Sequence, residues 1–186
     1  LINGTQFMAA VGALVLVRAR RLVRTADIAC ALSLEALQGS RTSFLPEIHA
    51  LRPLAGQQAS AANVVLLLEG SAILEAHRWC DKVQDAYSLR CAPQVHGASR
   101  DLLAYAETTV GVELNAATDN PLVFVEQGEL VSNANFHGQP LAFALDGAAM
   151  ALVADGSRPD VAAAFPGYGP SHGYAASFGA SPGAHT

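Results

Sequence analysis

The segment of residues 7–17, FMAAVGALVLV, is apolar at every position and constrains the fold more than any other part of the chain. A helix that is hydrophobic on all sides must be covered by other helices or by other subunits. The segment is also much shorter than the roughly 20 apolar residues that a helix needs to cross a bilayer. We therefore predict a buried helix, and we expect no membrane among the partners of this chain.

The overall composition is typical of a folded protein with a sizeable core. The chain has 186 residues, of which 51% are hydrophobic, and this is enough for one domain. Its 16 acidic and 11 basic residues give a formal net charge of −5, and no block of Lys and Arg is present to neutralise successive phosphates. We therefore expect no nucleic acid partner.

The cysteines favour a reducing compartment. Cys30, Cys80 and Cys91 have no recognisable pair spacing, which indicates reduced thiols in a cytoplasmic protein rather than a disulfide framework. His77 with Cys80 and Cys91 would supply only three ligands, so we expect no metal site. The chain begins at Leu1 without a basic leader or a cleavage site, and we expect no targeting segment and a piece of a longer protein.

Long helices are predicted for the first part of the chain. Residues 7–17 lead into a cluster of arginines, and an Ala- and Leu-rich run over residues 26–37 then stops near Gly39. This pattern indicates a helix pair or one bent long helix.

Shorter helices are predicted next. Pro46 and Pro53 bracket a short helical turn at residues 47–51. Residues 59–68 are again helical and strongly apolar, and Gly70 marks the expected end of that helix.

An amphipathic helix is expected to open at Pro93, because proline is tolerated in the first turn. Apolar residues then recur at steps of seven and four and draw one stripe along this helix. The stripe consists of Val95, Leu102, Ala106, Val110 and Leu114.

The remaining pattern predicts a β-hairpin and a last helix. Residues 122–125 and 130–131 are expected to form two short strands around a turn that contains Gly128. Residues 141–153 return to a helical composition. The predicted fold class is therefore mainly α, a long-helix bundle with a small β-hairpin near residues 122–131.

The composition changes near residue 156. Residues 1–155 are predicted to form the helical core, whereas residues 156–186 are rich in Gly, Pro, Ala and Ser and show no period. We expect this tail to be disordered, because it offers few apolar side chains with which to build a core.

A polar cluster at residues 83–94, VQDAYSLRCAPQ, is the first candidate for a functional site. Tyr87 and Arg90 are three positions apart, so they share a face if the segment is helical. The planar guanidinium of Arg90 suits a carboxylate, since its donors match two oxygens at once. The amide of Gln84 could orient a bound group. Alternatively, the cluster is a solvated surface turn in which Asp85 holds Tyr87 and Arg90.

Further stretches occur in a fixed order around this cluster. They are residues 1–6 (LINGTQ), residues 49–53 (HALRP) followed by Gly56 and Gln57, and residues 119–122 (DNPL) followed by residues 133–138 (NANFHG). Together with residues 84–95 (QDAYSLRCAPQV), they resemble the successive motifs of the aromatic amino acid ammonia-lyase family. The resemblance extends over residues 1–155.

This resemblance implies a fold, a reaction and a prosthetic group. The fold is mostly helical, with central helices that bundle across a homotetramer. The reaction is the elimination of ammonia from a small-molecule amino acid to give an unsaturated acid. The prosthetic group is 4-methylideneimidazole-5-one, an electrophile that forms by cyclisation of an internal Ala-Ser-Gly.

The resemblance also implies roles for individual residues. Asn3 resembles the amide that helps to hold the electrophile and the substrate, and Gln84 and Tyr87 resemble catalytic residues that line the same site. Arg90 resembles the clamp for the substrate carboxylate. Phe136 resembles a wall of the substrate pocket, and His137 is expected either near that pocket or in a structural hydrogen bond.

The chain departs from the family pattern at several points. It contains no Ala-Ser-Gly, so we expect the chain alone to form no electrophile and to be inactive. The main tyrosine base of the family and the acidic residue that meets the imidazole of histidine are also expected outside this chain. After Asp155 the family continues with Ser-x-Ser-Glu-Arg-Arg, whereas this chain has GSRPD at residues 156–160, which is typical of a truncated or frameshifted reading frame.

Several functions stay open at this point. Residues 88–91 (SLRC) and the His-x-x-Arg-Pro stretch favour the bacterial branch of the family that converts L-histidine to urocanate in histidine degradation. A tyrosine or phenylalanine ammonia-lyase, or an aminomutase that uses the same electrophile, is the alternative among enzymes. A non-catalytic helical assembly module or a decayed gene product is the alternative from a different class.

Overall fold

The computed structural model describes residues 4–79 and 82–156 of the chain, and these residues are mainly helical. The predicted fold class is confirmed, since helices and one small antiparallel hairpin account for the regular structure of this part. The elements are α1 (Gln6–Ala36), a 3-10 turn (Thr42–Phe44), α2 (Pro46–Ala50), α3 (Ala55–Leu67), α4 (Ala72–Ala76), α5 (Tyr87–Arg90), α6 (Ala92–Glu113), β1 (Leu122–Phe124), β2 (Glu129–Val131) and α7 (Gln139–Gly156).

Helix α1 is continuous over Gln6–Ala36, so the pattern at residues 7–37 describes one long helix rather than a pair. The arginines do not interrupt it, because arginine is a good helix former. The helix stops where Gln38 adopts a left-handed conformation with φ 53°, and the Gly39 N–H then bonds to the Leu34 carbonyl at 2.7 Å. This closure is a Schellman motif, which satisfies carbonyls at the end of the helix.

The chain divides into two compact units. Of the described residues, the first contains residues 4–20 and 102–150, and the second contains residues 21–79, 82–101 and 151–156. Within the first unit, α1 packs on α7 at Gly12, where an added Cβ would lie 2.8 Å from Leu145. In the hairpin of this unit, Leu122 pairs with Val131.

The second unit has its own apolar core and a close approach of two helices. Gly97 of α6 faces the backbone of Gln57 in α3, and a Cβ at Gly97 would overlap it. Only glycine permits this helix spacing. The buried residues of the core are Cys30, Ala31, Leu34, Phe44, Val64, Leu68, Leu74, Leu89 and Ala92.

The predicted helix boundaries are mostly close to the observed ones, but the predicted burial is partly wrong. Helix α6 begins next to Pro93 as expected. Ala106 and Val110 are buried, whereas Leu114 is 54% exposed and Leu103 is buried instead of Leu102. The buried face also carries polar side chains near the start of α6, so a stripe of apolar residues alone misplaces it.

The apolar segment at residues 7–17 is buried on one face only within this chain. Leu16 is 4% exposed, whereas Phe7 is 83% and Leu14 is 68% exposed. Other helices of the described chain therefore do not cover this segment all round. None of the helices in the described residues is both long and apolar enough to cross a membrane. The predicted disorder of residues 156–186 falls, apart from the end of α7 at Gly156, outside the described residues.

Candidate active site

The polar cluster folds around the single helical turn α5. This turn places Tyr87 and Arg90 on one face, and the Arg90 guanidinium carbon lies 5.8 Å from the centroid of the Tyr87 ring. That distance is within the range of a cation–π contact. Tyr87 is 61% exposed, Gln84 is exposed and Arg90 is partly buried. The cluster therefore presents an amide, a phenol and a cation at one place.

Arg90 is held by the backbone of the preceding segment. Its Nε donates a hydrogen bond to the Asp85 carbonyl oxygen at 2.9 Å. Within the described part of the chain, its terminal nitrogens Nη1 and Nη2 make no hydrogen bond. Two parallel donors of the fork thus stay available for a planar anion.

The carboxylate of Asp85 ties the cluster to the chain that follows α1. Asp85 is 8% exposed, and its Oδ2 accepts a hydrogen bond from the Ser40 backbone N–H at 2.6 Å. Lys82 Nζ lies 3.4 Å from the Asp85 Oδ1 and also donates to the Leu37 carbonyl. In the surface-turn alternative, Asp85 was expected to hold Arg90; it does so through its backbone carbonyl, while its carboxylate binds Ser40 and Lys82.

An open cleft lies beside this cluster within the second unit. Its volume is about 790 Å³, and its walls come from residues 38–46, from Val65, from residues 74–78 and from residues 82–85 together with Arg90. Gln84 and Arg90 line the cleft, whereas Tyr87 is not among its lining residues. A polar cleft with one anchored guanidinium is suited to a small molecule that carries a carboxylate.

His49 fixes one wall of this cleft. It is 1% exposed; its Nε2 lies 3.1 Å from the Ser43 carbonyl oxygen and its Nδ1 lies 3.0 Å from the Gln57 amide nitrogen. A neutral ring with the proton on Nε2 satisfies both contacts. The His-x-x-Arg-Pro and Gly-Gln stretches therefore have a structural role here, because they hold the 3-10 turn against α3.

The other predicted site residues lie in the first unit, in the loop before α7. Phe136 is 37% exposed and His137 is exposed. The His137 Nδ1 accepts the Gln139 backbone N–H at 3.2 Å, so the ring caps the start of α7. A structural hydrogen bond of His137 is thus present, and its predicted place near a substrate pocket stays a prediction.

This loop packs against the beginning of α1. An added Cβ at Gly138 would lie 3.3 Å from Met8 and 3.7 Å from Thr5. Asn3 itself lies outside the described residues. The NANFHG segment is therefore brought next to the chain that directly follows Asn3.

Asparagine side chains connect two of the sequence motifs. The Asn133 backbone N–H donates to the Asn120 side-chain oxygen at 2.8 Å, and the Asn133 side chain donates to the Asp119 carbonyl at 3.2 Å. Asn135 N–H donates to the Asn133 side chain at 2.8 Å. The DNPL and NANFHG motifs thus form one hydrogen-bonded structure, and their polar residues serve the shape of the loop.

The sequence analysis missed a buried charge network in the second unit. His96 is fully buried, and its Nδ1 lies 2.9 Å from Asp27 Oδ1. Asp27 Oδ2 accepts hydrogen bonds from Asn63 and Arg100. Arg100 Nε also donates to the Ser60 hydroxyl at 2.8 Å. The spacing of His96 and Arg100 on one face of α6 was the available signal.

The partners of Asp27 outweigh the cost of its burial. Burial alone raises the pKa of this carboxyl, but the hydrogen bonds from His96 and Asn63 and the charges of Arg100 and His96 lower it, and the net pKa lies below its ordinary value. Asp27 is therefore ionised at neutral pH and joins α1, α3 and α6 within one unit. Among the described residues, no group of His, Cys, Asp and Glu side chains could hold a metal ion.

Comparison with solved structures defines the class of fold. Histidine ammonia-lyase from Trypanosoma cruzi matches with a TM-score of 0.73 and 46% identity, over 84% of this chain and 28% of that one. Tyrosine aminomutase from Streptomyces globisporus matches with a TM-score of 0.75 and 42% identity, over 83% of this chain and 33% of that one. The described helices thus have the fold of ammonia-lyases and aminomutases.

Sequence comparison then assigns the family. The profile of the family described as aromatic amino acid lyase matches residues 1–157. Proteins named histidine ammonia-lyase from Gloeobacter violaceus and Myxococcus xanthus are 57% and 52% identical to this chain over 153 residues, which is 82% of the chain. The chain belongs to the aromatic amino acid lyase family. It spans about 30% of the length of these relatives.

Proposed function

We propose that this chain supplies part of the active site of a histidine ammonia-lyase, which eliminates ammonia from L-histidine to give urocanate. The observation that carries the proposal is Arg90, whose Nε is anchored on the Asp85 carbonyl while its terminal nitrogens make no hydrogen bond within the described residues, at the wall of a polar cleft. The 57% identity to a protein named histidine ammonia-lyase supports histidine as the substrate.

The chemistry explains why unlike polar groups are needed together. The β-proton of an amino acid is weakly acidic, so its removal requires a fixed carboxylate, an activated amine and a positioned base. Arg90 binds the substrate carboxylate through Nη1 and Nη2 in this proposal. Gln84 lines the same cleft, the Tyr87 ring lies beside the Arg90 guanidinium, and both orient the bound groups in this proposal. We propose that Phe136 and His137 contribute to a substrate pocket of the assembled protein.

The prosthetic group 4-methylideneimidazole-5-one belongs to the proposal, although this chain cannot form it, because the chain lacks Ala-Ser-Gly. The described donors fit a place beside such a group: the Gln84 amide and the Tyr87 phenol are exposed within one segment. We propose that these two residues hold the group through hydrogen bonds, and that Asn3 has the same role in the assembled protein. When bound, the group supplies the electrophile that activates the amine of the substrate.

We also propose that the complete protein is a cytoplasmic homotetramer. The support for assembly is the exposed apolar surface of the first unit, where residues of α1 and α7 face outwards. Exposed apolar side chains of this size, when they lie together, are typical of a protein interface. The larger residues of this surface are Phe7 (83% exposed), Leu14 (68%), Phe143 (64%) and Met150 (65%).

The proposed function is tested in a hybrid enzyme. In this hybrid, the 153 matching residues of the Gloeobacter violaceus relative are replaced by those of this chain, and the rest of the relative is kept. We expect the hybrid to convert L-histidine to urocanate, which is followed by its ultraviolet absorbance. A hybrid that is folded by circular dichroism but makes no urocanate would contradict the proposed function.

An aminomutase or a lyase for another aromatic amino acid is the second candidate. It is supported by the TM-score of 0.75 and 42% identity to tyrosine aminomutase. The hybrid distinguishes the two when L-histidine, L-tyrosine and L-phenylalanine are supplied in turn. Release of a β-amino acid or of an arylacrylate from tyrosine or phenylalanine, with no urocanate from histidine, would favour this second candidate.

A further inference from the structure

Asp85 is the residue on which the position of Arg90 depends in the structure. Its carbonyl oxygen accepts the Arg90 Nε–H at 2.9 Å, and its carboxylate accepts the Ser40 backbone N–H at 2.6 Å. Lys82 adds a second contact to the same carboxylate at 3.4 Å. We call these three contacts the Asp85 clasp. The clasp links the end of α1, through one nearly buried side chain, to the guanidinium that faces the cleft.

We propose that Asp85 is a positioning residue, and that the Asp85 clasp aims the Nη1 and Nη2 edge of Arg90 at the substrate carboxylate. This inference rests on the proposed function of Arg90 as the carboxylate clamp. It adds that the Nη1 and Nη2 edge of the guanidinium binds the substrate carboxylate, and that Asp85 orients this edge.

The first reason is the geometry of the guanidinium itself. A guanidinium offers a carboxylate either its end, with Nη1 and Nη2, or its side, with Nε and one Nη. The side edge is engaged here, because Nε already donates to the Asp85 carbonyl. Only the end of the fork can therefore form two parallel hydrogen bonds with a substrate.

The second reason is that the residues next to Asp85 are mostly exposed. Val83 and Gln84 are exposed, and α5 is a single turn whose N-cap residue, Ala86, has no side chain that could cap it. The buried carboxylate of Asp85 fixes this segment to residue 40, and the Lys82 ammonium adds a bond from the same segment to the Leu37 carbonyl. Loss of the carboxylate would free the Asp85 carbonyl to move, and the Arg90 fork would move with it.

The third reason is electrostatic. The Asp85 carboxylate lies in a largely buried position and accepts a backbone N–H, and a charge-assisted hydrogen bond of this kind is stronger than a neutral one. Lys82 is partly exposed, with 44% of its side chain accessible, so its ion pair contributes less. The Ser40 contact is therefore the main part of the clasp.

The test compares ligands with and without a carboxylate in the hybrid enzyme. The variant Asp85→Ala removes the acceptor for the Ser40 N–H. We expect it to raise KM for L-histidine and the inhibition constant of urocanate by on the order of tenfold. The inhibition constant of histamine, which has the imidazole and the amine but no carboxylate, should change less than about twofold.

Two further variants control for general damage. Asp85→Asn keeps an amide oxygen that can accept the Ser40 N–H, so it should restore most of the urocanate affinity that Asp85→Ala loses. Glu69→Gln changes an exposed carboxylate elsewhere in the second unit and should leave all three constants unchanged. If Asp85→Ala does not fold, Asp85→Asn is tested instead. We then expect a smaller increase in the inhibition constant of urocanate and no change in that of histamine.

The outcomes separate this inference from the proposed function. The positioning role would be overturned if a folded Asp85→Ala hybrid bound urocanate and histamine more weakly by the same factor, or if neither ligand bound more weakly. A crystal structure of the parent hybrid with urocanate in which Nε, rather than the Nη pair, contacts the carboxylate would also overturn it. A parent hybrid that makes no urocanate would instead contradict the proposed function.

Discussion

Replacement of Asp27 by asparagine should destabilise the second unit of this chain strongly and in a pH-dependent way. Asp27 is 1% exposed and its carboxylate accepts hydrogen bonds from His96, Asn63 and Arg100. Asparagine keeps the shape but removes the charge, and it turns one acceptor into a donor that faces the donor groups of Asn63 and Arg100. Breaking a buried ion pair on one side typically costs about 3–5 kcal/mol. Since the Arg100 side chain is 21% exposed and can regain water, we expect a loss of about 3 kcal/mol.

The sign of the pH dependence follows from the lowered pKa of Asp27. When folding lowers the pKa of a carboxyl, the ionised carboxyl stabilises the folded state. This stabilisation is fully present above the pKa of the unfolded state, and it is lost as the pH falls through the pKa of the folded state. The difference in the free energy of unfolding between the parent and Asp27→Asn should therefore be constant near neutral pH. This difference should become smaller as the pH falls below about 3.8, the ordinary pKa of this group.

The assay is urea unfolding of the 186-residue chain, followed by circular dichroism at one low protein concentration, so that association contributes equally to every variant. Asp146→Asn is the matched control, because Asp146 is an exposed aspartate on α7 and its replacement should change stability by less than about 0.5 kcal/mol. Equal losses for Asp27→Asn and Asp146→Asn, or a loss that does not depend on pH, would refute the reasoning.

Three further predictions concern helix packing, association and activity. Gly97→Ala should lower the free energy of unfolding by about 1–3 kcal/mol, because the new Cβ overlaps the backbone of Gln57. Gly111→Ala on the same helix meets no atom and should raise the free energy of unfolding by about 0.5–1 kcal/mol. Urea unfolding of both variants checks this, and equal effects would contradict it. The chain should associate in solution through its exposed apolar surface, and Phe7→Glu with Leu14→Glu should reduce the mass seen by light scattering; a monomeric parent would contradict this. The chain alone should make no urocanate from L-histidine, since it lacks Ala-Ser-Gly, and detectable turnover would show that the electrophile has another origin.

Local patterns in the sequence were sufficient for most of the fold. Two short apolar runs around a turn with Gly128 predicted the hairpin, and β1 and β2 pair there in antiparallel register. Pro93 marked the start of α6, because the missing N–H of proline costs nothing in a first turn. These features depend on neighbours within a few residues, and such neighbours are visible in one sequence.

The contacts that shape the candidate site could not be predicted in this way. The Asp27 and His96 pair joins residues 69 positions apart, and the Asp85 and Ser40 contact joins residues 45 positions apart. No local spacing encodes such partners. The amphipathic stripe of α6 was misplaced for a related reason: its buried face includes His96, whose burial depends on the distant carboxylate of Asp27. The spacing of Tyr87 and Arg90 predicted that they share a face, but only the structure shows that the Asp85 backbone holds the guanidinium.

The carboxylate role of Arg90 is tested most directly by kcat/KM for L-histidine in the hybrid enzyme with and without Arg90→Lys. Lysine keeps the positive charge but loses the two-pronged donor, so we expect kcat/KM to fall by roughly tenfold to a hundredfold, with the overall fold unchanged by circular dichroism. Arg24→Lys, at an exposed position on α1, is the matched control and should leave kcat/KM unchanged. An Arg90→Lys hybrid with a kcat/KM close to that of the parent would contradict the role of Arg90 as the carboxylate clamp.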